Sequence, residues 1–97
     1  MPGALWCTFY KSIRDPSKLA AYASLAVPAL AAGGGTFVAR GVAAEVFEAG
    51  LKERTVIISF ASVEAAVQCY NSPAYKEALA ALGDGAERDL RIVETVA

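Results

Sequence analysis

The sequence contains no histidine. That absence removes the commonest general base and the commonest metal ligand, and no Ser–His or Cys–His pair can exist. Cysteine is scarce. Cys7 and Cys69 lack zinc-ligand spacing and are too few for a disulfide framework, so both are read as reduced packing residues of a cytoplasmic protein. Charge of one sign is also missing. Nine Lys and Arg offset ten Asp and Glu, for a net charge of −1. No basic stripe or basic amphipathic helix stands out, which argues against nucleic acid and anionic membranes as partners. The longest apolar stretch, Leu19 to Ala32, contains Pro28 and falls short of the roughly 20 residues a membrane span needs. The N-terminus has no charged segment ahead of an apolar run, so no secretion signal is expected. No carboxylate pair has the spacing of glycosidase or metal chemistry. Neither a metal nor a cofactor is expected.

What is present is apolar and compact in its patterning. Hydrophobic residues make up 56% of 97, and that length suits one domain over residues 1–97. Leu5 to Ile13, rich in aromatic and β-branched residues, reads as a strand with apolar groups on both parities. Asp15-Pro16 opens a helix as cap and first residue. Its buried stripe is Leu19, Tyr22, Ala23, Ala26 and Leu30. Pro28 is expected to kink or end it, and Gly33-Gly34-Gly35 to stop what remains. A phosphate-loop reading of those glycines fails, because no Lys-Ser/Thr follows and a strand, not a helix, comes next.

Thr36 to Arg40 reads as a second strand, with a bend at Gly41 and a continuation over Glu45 to Glu48. Thr55 to Phe60 is the clearest strand, its unbroken Val56-Ile57-Ile58 run implying burial on both faces. Ser62 caps a helix with Val63, Ala66, Val67 and Tyr70 on one face. Ser72-Pro73 restarts a helix whose seam is Tyr75, Leu79 and Leu82. Gly83-Asp84-Gly85 breaks it, and Leu90 to Val96 reads as the last strand.

The order strand, helix, strand, strand, helix pair, strand predicts an α+β fold of ferredoxin-like β-α-β-β-α-β type: a four-stranded antiparallel sheet with its helices on one face. Strands apolar on both parities leave a second face to cover. A second copy packed sheet against sheet is the simplest cover, which predicts a homodimer.

Several residues give this pattern a family likeness. They are Asp15-Pro16 with Tyr22, then Gly34-Gly35-x-Phe37-x-x-Arg40-Gly41, and Glu45-Val46 with Glu48 and Gly50. Further along stand Arg54 before the Val56-Ile57-Ile58 run, and Tyr70-Asn71-Ser72-Pro73-x-Tyr75. On these the chain resembles the bacterial family catalogued as domain of unknown function 1330, in the dimeric α+β barrel superfamily. The resemblance implies a ferredoxin-like fold and a face-to-face dimer; it implies no activity. Departures from the family pattern are Ser59-Phe60-Ala61 in place of Glu-Phe-Pro, Cys69-Tyr70 in place of Trp-Tyr, and Leu82 in place of Arg.

Arg40 closes an otherwise apolar strand and shares sequence parity with Thr36 and Val38. If that parity faces between two sheets, its guanidinium needs an anion there, either a ligand carboxylate or phosphate or a structural partner among Glu45, Glu48 and Glu94. Trp6 and Tyr10 share a strand face. A small-molecule site for an organic acid or aromatic is therefore expected inside the barrel near Trp6, Tyr10, Arg40, Thr55 and Ser59. Catalytic residues are not assigned. The rival expectation is a non-catalytic interaction domain with a solid dimer core. By analogy within the superfamily, a further alternative is a cofactor-free monooxygenase or isomerase.

Overall fold

The computed structural model describes residues 2–97. Strand β1 spans Ala4–Ile13, helix α1 Pro16–Ala32, β2 Thr36–Val42, β3 Arg54–Phe60, α2 Val63–Tyr70, α3 Pro73–Leu82 and β4 Ala86–Glu94. The strands form one antiparallel sheet in the order β2-β3-β1-β4. The fold is ferredoxin-like α+β, as the element order predicts.

Local chemistry sets the helix starts. The Asp15 carboxylate accepts hydrogen bonds from the backbone N–H groups of Ser17 and Lys18, with Pro16 at the first helical position. Ser62 and Ser72 cap α2 and α3 in the same way, accepting from Ala65 and Tyr75. Pro28 does not end α1, which continues to Ala32. The proline sits on the exposed side one turn before the helix end, so the Ser24 carbonyl that it leaves without an N–H partner belongs to a solvent-facing residue. Past the helix, Gly35 N–H donates to the Leu30 carbonyl at 2.8 Å. A Cβ on Gly35 would lie 2.9 Å from both Ile58 and Phe60, so the chain passes too close to β3 for any side chain.

Two other boundaries differ from expectation. Glu45 to Glu48 form no strand; they lie in the irregular β2–β3 connection. Val42 already pairs with Arg54, so no partner strand lies opposite them, and the chain turns back with Gly50 N–H donating to the Phe47 carbonyl. Strand β4 starts four residues before Leu90 and ends at Glu94. It is an edge strand, where the charged run Glu87-Arg88-Asp89 is tolerated and hides the strand signal.

The sheet has two distinct faces. Ala4, Trp6, Thr8 and Tyr10 of β1 and Val56, Ile58 and Phe60 of β3 point toward the helices and are buried. With Tyr22, Leu30, Tyr75 and Leu82 they build the core. On α2 the buried residues are Ala66 and Cys69, while Val67 is exposed. The opposite face carries Leu5, Cys7, Phe9, Thr55, Ile57, Ser59 and Val93, half-buried or exposed. Helix α2 lies over β1, β3 and β4, whereas α1 packs chiefly against α3. That arrangement leaves a gap between α1 and the sheet.

Candidate functional site

The gap between α1 and the β2–β3–β1 side of the sheet is a cavity of about 40 Å³. Trp6, Thr8 and Tyr10 form its floor. Tyr22, Ala23 and Ala26 of α1 form its roof, and Arg40, Arg54 and Arg88 reach it from three strands. Small alanines on α1, Ala23 and Ala26, leave the space open beside Tyr22. The volume is enough for about three water molecules or a carboxylate group. The exposed lining residues Arg40 and Val27 mark its opening.

The walls are aromatic and ordered. Trp6 Nε1 donates to Thr8 Oγ1 at 2.9 Å, which satisfies the buried indole N–H. The Trp6 ring stacks on Phe60 and meets Tyr75 edge-on at 5.1 Å. Tyr75 is fully buried, and its hydroxyl lies 2.7 Å from that of Tyr22. Arg88 Nη1 donates to Tyr22 Oη at 3.0 Å, and Nη2 reaches Tyr75 Oη at 3.5 Å. Burial raises the Tyr75 pKa above the usual phenol range and keeps it neutral.

The electrostatics are one-sided. The Arg54 and Arg88 guanidiniums lie 6.0 and 5.7 Å from the centre of the Tyr10 ring, and that of Arg40 lies 4.6 Å from the Phe37 ring. Among the described residues the ion pairs are Arg14–Glu87, Lys18–Asp84 and Arg91–Asp89, so none of the three cavity arginines has a carboxylate partner. No Asp or Glu lines the cavity. Arg54 Nε is buried without any hydrogen-bond partner. Three cations converging on one apolar space with no counter-charge is an arrangement that a bound anion would complete.

Of the residues singled out from sequence, Trp6, Tyr10 and Arg40 come together here, while Thr55 and Ser59 lie on the other face of the sheet. The grouping of all five is therefore corrected. Arg40 also leaves the face that its sequence parity gave it. In β2, Phe37 pairs with Ile58 and Ala39 with Ile57, so Val38 is an extra, bulged residue. The bulge turns Arg40 to the helix side with Phe37 and away from the face of Thr36. No ion pair joins Arg40 to Glu45, Glu48 or Glu94 among the described residues. Thr55 instead borders an open cleft of about 280 Å³ with Phe9, Lys11, Leu51, Asp89 and Arg91.

Sequence reasoning missed Arg54 and Arg88. Arg54 shares the parity of Val56, Ile58 and Phe60, which was a usable signal. Arg88 lay outside the expected limits of β4, so no parity could be given to it.

The fold and the cavity define a ferredoxin-like α+β protein with a basic, aromatic pocket under its first helix. Residues 4–96 match the model of the family described as domain of unknown function (DUF1330), and the chain belongs to that family. No match was found among the curated proteins. Solved structures share the fold. A protein of unknown function from Rhodopseudomonas palustris, RPA0582, is 21% identical with a TM-score of 0.74, over 98% of this chain and 84% of its own. A NIPSNAP-family protein of unknown function from Agrobacterium tumefaciens is 17% identical with a TM-score of 0.63, over 97% and 87%. SnoaB, a cofactor-independent oxygenase from Streptomyces nogalater, is 12% identical with a TM-score of 0.58, over 99% and 93%. Among the described residues no helix is long and apolar enough to cross a membrane.

Proposed function

We propose that this chain, one α+β domain acting as a homodimer in the cytoplasm, binds a small organic anion through the cavity beneath α1. One observation carries the reading: Arg40, Arg54 and Arg88 face a shared apolar space that contains no carboxylate. The cavity accepts the charged head of the ligand, and an apolar or aromatic body extends outward past Arg40 and Val27. A volume of about 40 Å³ is far below the roughly 300 Å³ of a pocket that swallows a whole drug-sized ligand. Dimer formation is supported by the face opposite the helices, where Leu5, Cys7, Phe9, Ile57 and Val93 form an apolar centre. The dimer interface and the ligand cavity are then on opposite faces of the same sheet.

The second reading is oxygenation without a cofactor, which the fold shared with the Streptomyces oxygenase favours. Its difficulty is chemical. The cavity offers arginines, tyrosines and a threonine, and none of these readily takes a proton from a substrate at neutral pH. Stabilising an anion that arrives already charged suits these groups better than creating one.

The test is a thermal-shift and calorimetric titration with benzoate, phenylacetate and hexanoate, beside the corresponding neutral amides, on the wild-type chain and Arg54→Met. Binding of a carboxylate but not its amide, weakened at least tenfold in Arg54→Met, supports the reading. Equal response to acid and amide, or no response to any of the acids, refutes it and leaves a non-catalytic interaction domain.

A further inference from the structure

The hydrogen-bond inventory around Tyr22 says more about the ligand, and it rests on the anion-binding reading above. Tyr75 is fully buried, and its O–H must find an acceptor. Its hydroxyl has two neighbours, Tyr22 Oη at 2.7 Å and Arg88 Nη2 at 3.5 Å. A guanidinium cannot accept a hydrogen bond, so the Tyr75 proton goes to Tyr22 Oη. That oxygen also accepts from Arg88 Nη1 at 3.0 Å. Both lone pairs of Tyr22 Oη are then used, and the oxygen can act on a further partner only as a donor. Among the described residues the Tyr22 O–H has no acceptor. Tyr22 lines the cavity and Tyr75 does not.

The structure assigns Tyr22 as the specificity-determining donor of the site: its O–H is left to a ligand atom that must accept, which excludes an ammonium, and beside Arg40, Arg54 and Arg88 the acceptor that fits is the oxygen of an oxyanion such as a carboxylate. Accepting two hydrogen bonds, one of them from a cation, strengthens the one that Tyr22 gives. Tyr75 is a positioning residue. It fixes the direction of the Tyr22 proton without touching the ligand. Arg88 has two tasks, since it holds both phenols while its charge faces the cavity.

The pair of tyrosines supplies its own control. Tyr22→Phe and Tyr75→Phe both delete the bond between the rings, but only the first removes the donor at the cavity. Benzoate affinity is measured for each by calorimetry, with circular dichroism to establish folding. The expected result is a loss of about tenfold or more in Tyr22→Phe, the effect of one hydrogen bond to a charged group, and a change under about threefold in Tyr75→Phe. Wild-type affinity in Tyr22→Phe, with Arg54→Met impaired, overturns the assignment and leaves the anion site standing. Equal losses in both variants also overturn it, since they mean the pair is only structural. A wild-type chain that binds no carboxylate overturns both readings together. Should Tyr22→Phe fail to fold, carbon-13 resonances of the hydroxyl-bearing ring carbons in the wild-type chain decide. Benzoate is expected to move that of Tyr22 more than that of Tyr75, and no movement at Tyr22 overturns the assignment.

Discussion

Replacing Arg54 by methionine is expected to stabilise the ligand-free protein, although it removes a large and partly buried side chain. Arg54 and Arg88 each lie within 6.0 Å of the Tyr10 ring centre, so their charges are less than twice that distance apart. Two like charges at about 12 Å in a medium of effective dielectric constant about 20 repel by on the order of 1 kcal/mol. Arg54 Nε is buried with no partner, and an unsatisfied buried donor costs about 1–3 kcal/mol. Against these stands the cation–π contact with Tyr10, about 0.5–1 kcal/mol. Methionine keeps an unbranched apolar stem on the cavity wall, so little packing is lost. The net expectation is a gain of at least about 1 kcal/mol, and each kcal/mol raises Tm by roughly 4–8 °C for a chain of this length. The assay is thermal and urea unfolding at one fixed chain concentration, because the proposed dimerisation makes Tm depend on concentration. A fall in Tm on Arg54→Met would refute the reasoning, since it would show that Arg54 has a stabilising partner. The sign should also reverse with ligand. In saturating benzoate the wild-type chain gains stability that the variant does not.

Other outcomes follow from the same structure. Stability should be level between about pH 5 and pH 8, because the chain has no histidine. Asp15, Asp84 and Asp89 are held below the ordinary carboxylate range by hydrogen bonds from Ser17, Lys18 and Arg91. Their contribution is present above the unfolded value near 4 and is lost as pH falls through the folded values. Burial raises Cys7, Cys69 and Tyr75, so their contribution is present below the unfolded values near 8.5 and 10 and is lost on further alkalinisation. A transition in urea-midpoint stability near pH 6.5 would contradict this. Ile57→Lys, at the centre of the open sheet face, should convert the proposed dimer to monomers with the helix-side core intact. Sedimentation equilibrium reads this directly, and an unchanged mass would move the interface elsewhere. Gly35→Ala should cost about 1–3 kcal/mol by forcing a methyl group into Ile58 and Phe60. A neutral effect on the urea midpoint would mean that β3 yields easily at that point.

Much of the fold was legible because it is written in local signals. Asp15-Pro16, Ser62 and Ser72-Pro73 mark helix starts through caps that need only neighbouring residues. The Val56-Ile57-Ile58 run marks a strand with two neighbours, and β3 does lie between β2 and β1. The order of elements then leaves few topologies, because handedness and short connections remove the rest. Three things were decided only in three dimensions. The edge position of β4 allowed a charged strand that sequence patterning rejects, and that placed Arg88 in the cavity. The bulge at Val38 reversed the face of Arg40, since a single extra residue flips every side chain beyond it. The packing of α1 on α3 left space under the helix, where three arginines from different strands meet. Caps, turns and apolar runs act over a few residues, so the sequence by itself determined the elements and their order. Which charges share a cavity depends on register and on how helices settle on the sheet, and only the tertiary structure decided that.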